Sequence, residues 1–192
     1  MKILFNAESL MPPHTGIGVY TKNLASAWRK ATEVSELAGY YQFRAMAADA
    51  LVKTGGQAHA ARQRTFKTAA YGISAKVSWP YLAFRAFDAW RFKRASHHLP
   101  AEWLYFEPNF ILKPFAGPKV AVVHDLSFLH YPEFHPKARV RFLQDGLPDT
   151  LSQADRVITP SRLIRDEIVR HFSIPSGKVV AIHLGSDKNF RR

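Results

Sequence analysis

Residues 119–136 read KVAVVHDLSFLHYPEFHP, and this stretch decides how the rest of the chain is interpreted. Residues 120–123 are all apolar and show no alternation with polar residues. Such a run is typical of a strand covered on both faces, as in a parallel sheet between layers of helices. The run ends at His124 and Asp125, and ligand crevices of open α/β sheets form at the carboxyl ends of strands. The stretch therefore predicts both a core strand and a candidate site.

Working outward, predicted strands and helices alternate along the chain. Strands are predicted at 2–6, 40–47, 102–106, 156–159 and 178–182, and helices at 17–30, 60–77, 81–95, 137–151 and from Ser161 onward. Trp79 and Pro80 are expected to separate two helices, and Gly146 and Pro148 to end or kink another. This alternation predicts an α/β fold with a doubly wound, mostly parallel sheet and helices on both faces.

Composition sets limits on the class of protein. A chain of 192 residues can bury one good core. The absence of cysteine excludes disulfides and thiolate metal sites and favours a reducing compartment. No stretch approaches the roughly 18 apolar residues of a membrane span, and the N-terminus is too short for a signal peptide. We therefore expect a cytoplasmic protein, either soluble or peripheral to the inner face of a membrane.

The formal charge of +12 is concentrated in the middle of the chain. Residues 53–94 hold nine basic residues and one acid, Asp88. Three interpretations of the segment from Arg62 to Arg94 stay open. It is a solvated face, a membrane-surface or acceptor-phosphate site with interleaved aromatic residues, or a nucleic-acid surface. No helix-turn-helix, ribonucleoprotein or zinc motif supports the last, so no nucleic-acid partner is expected.

Gly16 and Gly18 lie where the first strand turns into a helix. Glycine here lets a phosphate or an acceptor approach backbone N–H groups at the helix start. The alternative is a tight turn that needs glycine for backbone reasons. Thr21 occupies the third position of the dinucleotide-binding pattern, so that fingerprint is absent.

The polar residues that follow the predicted strand at 120–123 also have two interpretations. His124 and Asp125 are either site residues or, as the residues alone favour, a polar surface side chain and a loop cap. His130 and His135 add to a possible metal set, but a loop with Pro132 lacks helical ligand spacing, and no metal is expected.

Ser161, at the start of the helix after strand 156–159, is explained most simply as a helix N-cap. A phosphate contact from the same position is the functional alternative, and Arg162 is a weaker candidate for it.

Four segments in order carry a family resemblance: PPHTGIGVYTKNLASAW, VVHDLSFLHYPEFHP, QADRVITPSRLIRDEI and KVVAIHLGSD. Together they resemble the N-terminal domain of the group 1 (family 4) retaining glycosyltransferases. The second segment is most similar to mannosyltransferase-type members that build bacterial surface polysaccharides. The resemblance covers residues 1–50 and 100–192, and it departs from the family pattern at Leu184, where Asn usually precedes Gly.

The resemblance implies a Rossmann-like domain that is one half of the two-domain GT-B arrangement. Residues 1–183 are then the acceptor-side domain, and residues 184–192 begin the linker to a C-terminal, donor-binding domain. The implied reaction moves a hexose, mannose by resemblance, from a GDP- or UDP-sugar to a glycan or lipid-linked acceptor. No cofactor beyond the nucleotide-sugar substrate is expected, and this chain alone is expected to show no turnover.

The resemblance also assigns residues. It places His124 at the transferred sugar and leaves the catalytic part of Asp125 open. It places Gly16 and Gly18 near the diphosphate and the acceptor, while Ser161 and Arg162 remain secondary candidates for a contact with the nucleotide-sugar. An alternative from another class is a non-catalytic basic α/β module that binds an anionic membrane or an acidic polymer. The gene sequence beyond Arg192 separates the two hypotheses.

Overall fold

The computed structural model describes residues 1–10, 15–41, 44–47 and 78–185. The predicted helix at 60–77, most of the basic segment that begins at Arg62, and residues 186–192 lie outside these ranges. The strands are β1 Lys2–Asn6, β2 Glu36–Tyr41, β3 Arg44–Ala47, β4 Leu104–Glu107, β5 Lys119–Val122, β6 Arg156–Thr159 and β7 Val179–Ala181. The α-helices are α1 Gly16–Trp28, α2 Ser78–Ser96, α3 Ser127–His130, α4 Lys137–Gln153 and α5 Arg162–Phe172.

The strands form one seven-stranded sheet in the order β3-β2-β1-β4-β5-β6-β7. Every neighbouring pair is parallel except β2 and β3. The predicted mostly parallel, Rossmann-like α/β fold is therefore confirmed. Because all strands except β3 run the same way, their carboxyl ends share one edge of the sheet.

Helices cover both faces of the sheet, as the unbroken apolar strands predict. One face buries Ile3, Phe5, Phe106 and Val122, and α1 packs against it through Ala25 and Trp28. The residues between them in sequence point to the opposite face. On that face, Leu4 and Tyr105 pack with Phe92 of α2. Further along the same face, the strand residues Ala121 and Val157 form a second cluster. This cluster includes Leu147 of α4 and Ile168 of α5.

The predicted single strand at 40–47 is wrong. The structure has two strands here, β2 and β3, which pair antiparallel from Ala38 opposite Ala47 to Tyr41 opposite Arg44. β2 begins earlier than expected because it pairs with β1 from Lys2 opposite Glu36 onward. Its Ala and Gly residues are weak strand formers, so pairing between strands rather than local propensity fixes this element.

The sequence predicts that Gly146 and Pro148 end or kink the helix, and the structure rules out the first of these, because α4 continues to Gln153. Its buried residues include Val140, Leu143, Leu147 and Leu151, which follow the helical period on both sides of Pro148. The burial of this apolar stripe outweighs the backbone hydrogen bond that proline cannot donate.

Two smaller differences affect the elements around the site. The helix predicted from residue 81 begins at Ser78, with Trp79 and Pro80 in its first turn, where proline is tolerated. β4 extends one residue beyond the predicted 102–106, so Glu107 lies in the strand and is buried.

Candidate functional site

The candidate site lies at the carboxyl edge of the sheet, around the ends of β1, β4 and β5. β1 ends at Asn6, β4 ends at Glu107, and His124 is the second residue after the end of β5. These three strands are neighbours in the sheet, so the fold brings together polar side chains that are far apart in sequence.

His124 is half-buried and held from several sides. Its Nε2 lies 2.8 Å from the carbonyl oxygen of Pro108. Tyr20 of α1 and Phe110 lie against its ring, with centroids at 5.4 Å and 5.8 Å. Burial lowers the pKa of His124, against the smaller opposing effects of the Pro108 hydrogen bond and the Asp125 charge. The ring is therefore neutral near pH 7.

The contact with Pro108 fixes the tautomer of that neutral ring. A carbonyl oxygen only accepts hydrogen bonds, so Nε2 carries the proton and donates it to Pro108. Nδ1 is then the acceptor nitrogen. A hydrogen bond between Nδ1 and a ligand hydroxyl would therefore be one that His124 accepts.

Asp125 faces a different neighbour. Its carboxylate is exposed and accepts hydrogen bonds from the backbone N–H of Ser127 at 2.9 Å and the Ser127 hydroxyl at 2.6 Å. This contact from Asp125 to the N–H two residues on is an Asx turn in the loop before α3, and it agrees with the interpretation of Asp125 as a loop cap.

The two loop histidines also have partners in the scaffold. Nε2 of His135 lies 2.9 Å from the Ser127 hydroxyl, and His130 pairs with Glu167 of α5. Across the described ranges, no group of three His, Cys, Asp or Glu residues is placed to hold a metal ion.

The two glycines at the start of α1 have different surroundings. A Cβ atom at Gly18 would lie 2.5 Å from the carbonyl oxygen of Ser9, whereas one at Gly16 would meet nothing within 4 Å. Thr15 caps the helix by accepting a hydrogen bond from the Gly18 N–H at 3.2 Å. Gly18 is thus explained by close packing, while Gly16 presents open backbone. The contact between Tyr20 and His124 joins this helix start to the end of β5.

Ser161 and Arg162 lie at the same sheet edge, after β6 and next to β5. The Ser161 hydroxyl accepts a hydrogen bond from the backbone N–H of Ile164 at 3.3 Å, so it caps α5 as expected. Arg162 is exposed in the first turn of that helix.

Glu107 is the main residue that the sequence did not point to. Its side chain is buried, and both carboxylate oxygens accept hydrogen bonds from the Asn6 amide, at 3.1 Å and 2.9 Å. The Tyr105 hydroxyl at 2.6 Å and the Asn109 backbone N–H at 3.0 Å also donate to it. Burial raises the pKa of Glu107 to about 7, although Lys113 and the hydrogen bonds act to lower it. The sequence does contain one signal for Glu107, because it is a charged residue at the end of an otherwise apolar strand.

Lys113 is a nearly buried ammonium group in the segment that joins β4 to β5. It forms an ion pair with Asp88 of α2 and lies 3.7 Å from a carboxylate oxygen of Glu8. Burial alone would lower the pKa of Lys113, but the charges of Glu8, Asp88 and Glu107 raise it, so this side chain stays charged.

A pocket of about 580 Å³ opens beside these groups. It lies between α2 and α4, where the segment from β4 to β5 contains no helix. Its size is within the usual range for small-molecule sites. Its polar lining residues are Asn6, Glu8, Ser9, Asp88, Glu107, Asn109, Lys113, Asp149, Thr150 and Gln153.

The outer face of α2 carries aromatic and basic side chains. Phe87 and Trp90 are about half exposed, at 48% and 54%, and the Arg91 guanidinium lies 5.5 Å from the centre of the Phe87 ring. Lys93 and Arg94 are exposed in the last turn. None of the helices in the described part of the chain has the length and apolar content needed to cross a membrane.

Comparison with known proteins gives two findings. Residues 14–190 match the family model described as Glycosyltransferase Family 4. The chain is also 27% identical over 190 residues to O-antigen chain mannosyltransferase B of Escherichia coli. That alignment covers 99% of this chain and 49% of the relative, so the chain spans about half the length of that protein. The resemblance predicted from the four sequence segments is confirmed.

Proposed function

The chain belongs to glycosyltransferase family 4, and on that premise we propose that its protein transfers a hexose from a nucleotide-sugar to a hydroxyl group of a glycan or lipid-linked acceptor. The proposed sugar is mannose, and the proposed context is polysaccharide biosynthesis, in line with the name of the mannosyltransferase relative. The proposed donor is a GDP- or UDP-sugar, and the anomeric configuration is retained.

The observation that best supports this proposal is neutral His124 at the end of β5, joined through Tyr20 to the start of α1. Glycosyl transfer passes through a cationic, oxocarbenium-like sugar. A neutral imidazole that accepts a hydrogen bond positions a sugar hydroxyl without adding positive charge beside that cation. In the proposed complex, His124 contacts the transferred sugar and the open backbone at Gly16 approaches the diphosphate.

The proposal divides the reaction between two domains. Residues 1–183 supply the acceptor side, and a second domain of the same protein, reached through a linker that begins at 184–192, supplies the donor side. The relative has about twice the length of this chain, which supports that arrangement. Ser161 and Arg162 are proposed secondary contacts to the donor, at the edge next to β5.

This division predicts that the chain alone has no transferase turnover and binds nucleotide-sugars weakly. Isothermal titration of the chain with GDP-mannose and UDP-glucose measures this directly. Micromolar affinity of this domain alone for either nucleotide-sugar would contradict the proposal that the second domain binds the donor, but it would not contradict the family membership.

Replacement of His124 tests the proposed site in the full-length protein. We expect His124→Ala to lower the transfer rate by about 100-fold, since a positioned polar group of this kind contributes on that order. His98→Ala is the matched control, because that histidine is exposed beyond the end of α2, which precedes β4. Normal transfer by His124→Ala would remove the central assignment.

We also propose that the protein acts at the cytoplasmic face of a membrane, which the outer face of α2 contacts. Phe87, Trp90, Lys93 and Arg94 combine exposed aromatic rings with positive charge, as membrane-surface helices do. The same observation favours the second candidate function, a non-catalytic module on an anionic membrane. Transferase activity of the full-length protein distinguishes the two.

A further inference from the structure

The pocket between α2 and α4 differs in charge from the rest of the protein. Four carboxyl groups line it, those of Glu8, Asp88, Glu107 and Asp149, and Lys113 is the single cation among its described lining residues. The chain as a whole carries a formal charge of +12. A site for phosphate or diphosphate would need the opposite balance, because anions are held by Arg, Lys or open helix N-termini.

The positive charge of Lys113 is already balanced inside the protein. Its ammonium group pairs with Asp88 and lies 3.7 Å from Glu8, and the side chain is only 10% exposed. A phosphate group entering the pocket would have to displace these carboxylates and approach the others. Among the described lining residues, the ion pair therefore leaves no free cation for an anionic ligand.

Glu107, the most deeply buried of the four carboxyl groups, positions other residues of the pocket. Its oxygens are occupied by the Asn6 amide, the Tyr105 hydroxyl and the Asn109 N–H, and it is 1% exposed. Glu107 thus fixes the Asn6 and Asn109 groups that line the pocket. Asp149, exposed on α4, has its carboxylate available to accept hydrogen bonds from a ligand.

We propose that this pocket binds the uncharged, hydroxyl-rich terminal sugar of the acceptor and excludes its phosphate-bearing part. Carboxylates accept hydrogen bonds from hydroxyl groups, and amide side chains both donate and accept, so the lining suits a neutral polyol. The pocket adjoins the proposed transfer site at Pro108. The carbonyl oxygen of Pro108 accepts the hydrogen bond from His124, and its two neighbours in sequence, Glu107 and Asn109, line the pocket. The inference rests on the proposed function for the identity of its ligand, the acceptor.

The first test measures binding to the full-length protein by titration with methyl α-mannoside, mannose 1-phosphate and inorganic phosphate. We expect the neutral glycoside to bind at least about tenfold more tightly than the sugar phosphate, since the carboxylates repel the added charge. Tighter binding of mannose 1-phosphate, or competition by inorganic phosphate for the glycoside site, would overturn the proposal.

Variants on α4 then locate the site. Asp149→Asn should weaken methyl α-mannoside binding about tenfold, because a charge-assisted hydrogen bond is lost. Asp145→Asn on the same helix is the matched control, since Asp145 does not line the pocket and lies near Arg141. Asp149→Lys should reverse the preference in favour of mannose 1-phosphate. Unchanged glycoside binding by Asp149→Asn would overturn the assignment.

The outcomes also separate this inference from the proposed function. Asp149-dependent binding of the neutral glycoside without any transferase activity would support the pocket's chemistry and contradict the proposed function. Transfer that requires His124 but is insensitive to both Asp149 variants would support the proposed function and overturn the pocket assignment.

Discussion

At the scale of single residues, His124 and Asp125 are adjacent in sequence but have different surroundings. His124 turns inward to Pro108 and Tyr20, whereas Asp125 turns outward and caps Ser127. Sequence reasoning grouped them as a polar pair after a strand. Only the contacts of each side chain show that His124 is held between α1 and the end of β4, whereas Asp125 holds the loop before α3.

Glu107 gives a prediction at this scale, because its pKa is raised from 4.5 to about 7. Between these pH values the folded protein holds a proton on Glu107 that the unfolded chain releases. The contribution to stability is therefore fully present below pH 4.5 and is lost as the pH rises toward 7. It amounts to about 3 kcal/mol in the free energy of unfolding.

Urea denaturation of the wild type and Glu107→Gln across this pH range measures the effect. We expect the variant to lack this decline, so the difference in unfolding free energy between the two proteins changes with pH. Glu133→Gln, an exposed glutamate near α3, is the control and should follow the wild type. Parallel pH profiles for the wild type and Glu107→Gln would contradict a raised pKa.

At the scale of elements, the start of α1 shows two glycines with different purposes. Gly18→Ala places a Cβ 2.5 Å from the Ser9 carbonyl oxygen, and we expect it to lower the free energy of unfolding by about 1–3 kcal/mol. Gly16→Ala meets no atom within 4 Å, so its stability should equal or exceed that of the wild type. Thermal denaturation of both variants measures the difference.

The same pair tests whether a ligand approaches this helix start. If the diphosphate contacts the backbone at Gly16, the added methyl group should lower the transfer rate of Gly16→Ala while leaving its melting temperature intact. Full activity of Gly16→Ala would mean that glycine is present at this position only because of a local backbone preference.

α4 shows how packing overrides a local signal. Gly146 and Pro148 are weak helix formers, yet the helix continues because Leu147 and Leu151 complete a stripe buried against the sheet. The start of α5 shows the reverse case, in which Ser161 caps the helix where the sequence places it.

At the scale of the whole molecule, charge is separated into regions. The outer face of α2 is basic and aromatic, while its inner side contributes Asp88 to a pocket lined by carboxyl groups. This distribution would allow one face to attract an anionic surface while the pocket on the other side of α2 holds an uncharged group.

This separation predicts binding to anionic vesicles. In a flotation assay we expect the protein to float with phosphatidylglycerol vesicles and not with phosphatidylcholine vesicles, and added salt to weaken the association. The Phe87→Ser, Trp90→Ser double variant should lose most of the binding, since both rings are exposed on one face of α2.

The matched control is Tyr131→Ser with Phe134→Ser, which removes two exposed aromatic rings that follow β5. This control should float like the wild type. Equal loss of binding in both double variants would mean that general apolar exposure, and not α2, carries the association.

The sequence by itself determined the order of most strands and helices, the mostly parallel sheet and the family. Unbroken apolar runs such as 120–123 and helix caps such as Ser161 are local signals, and local signals survive in a linear pattern. It also placed His124 at a strand end. The tertiary structure alone decided which nitrogen of His124 is protonated, why Gly18 is required, and that Asn6, Glu107 and Lys113 meet beside one pocket. These properties depend on contacts between residues far apart in the chain, and the pairing of β1 with β4 and the position of α2 create those contacts.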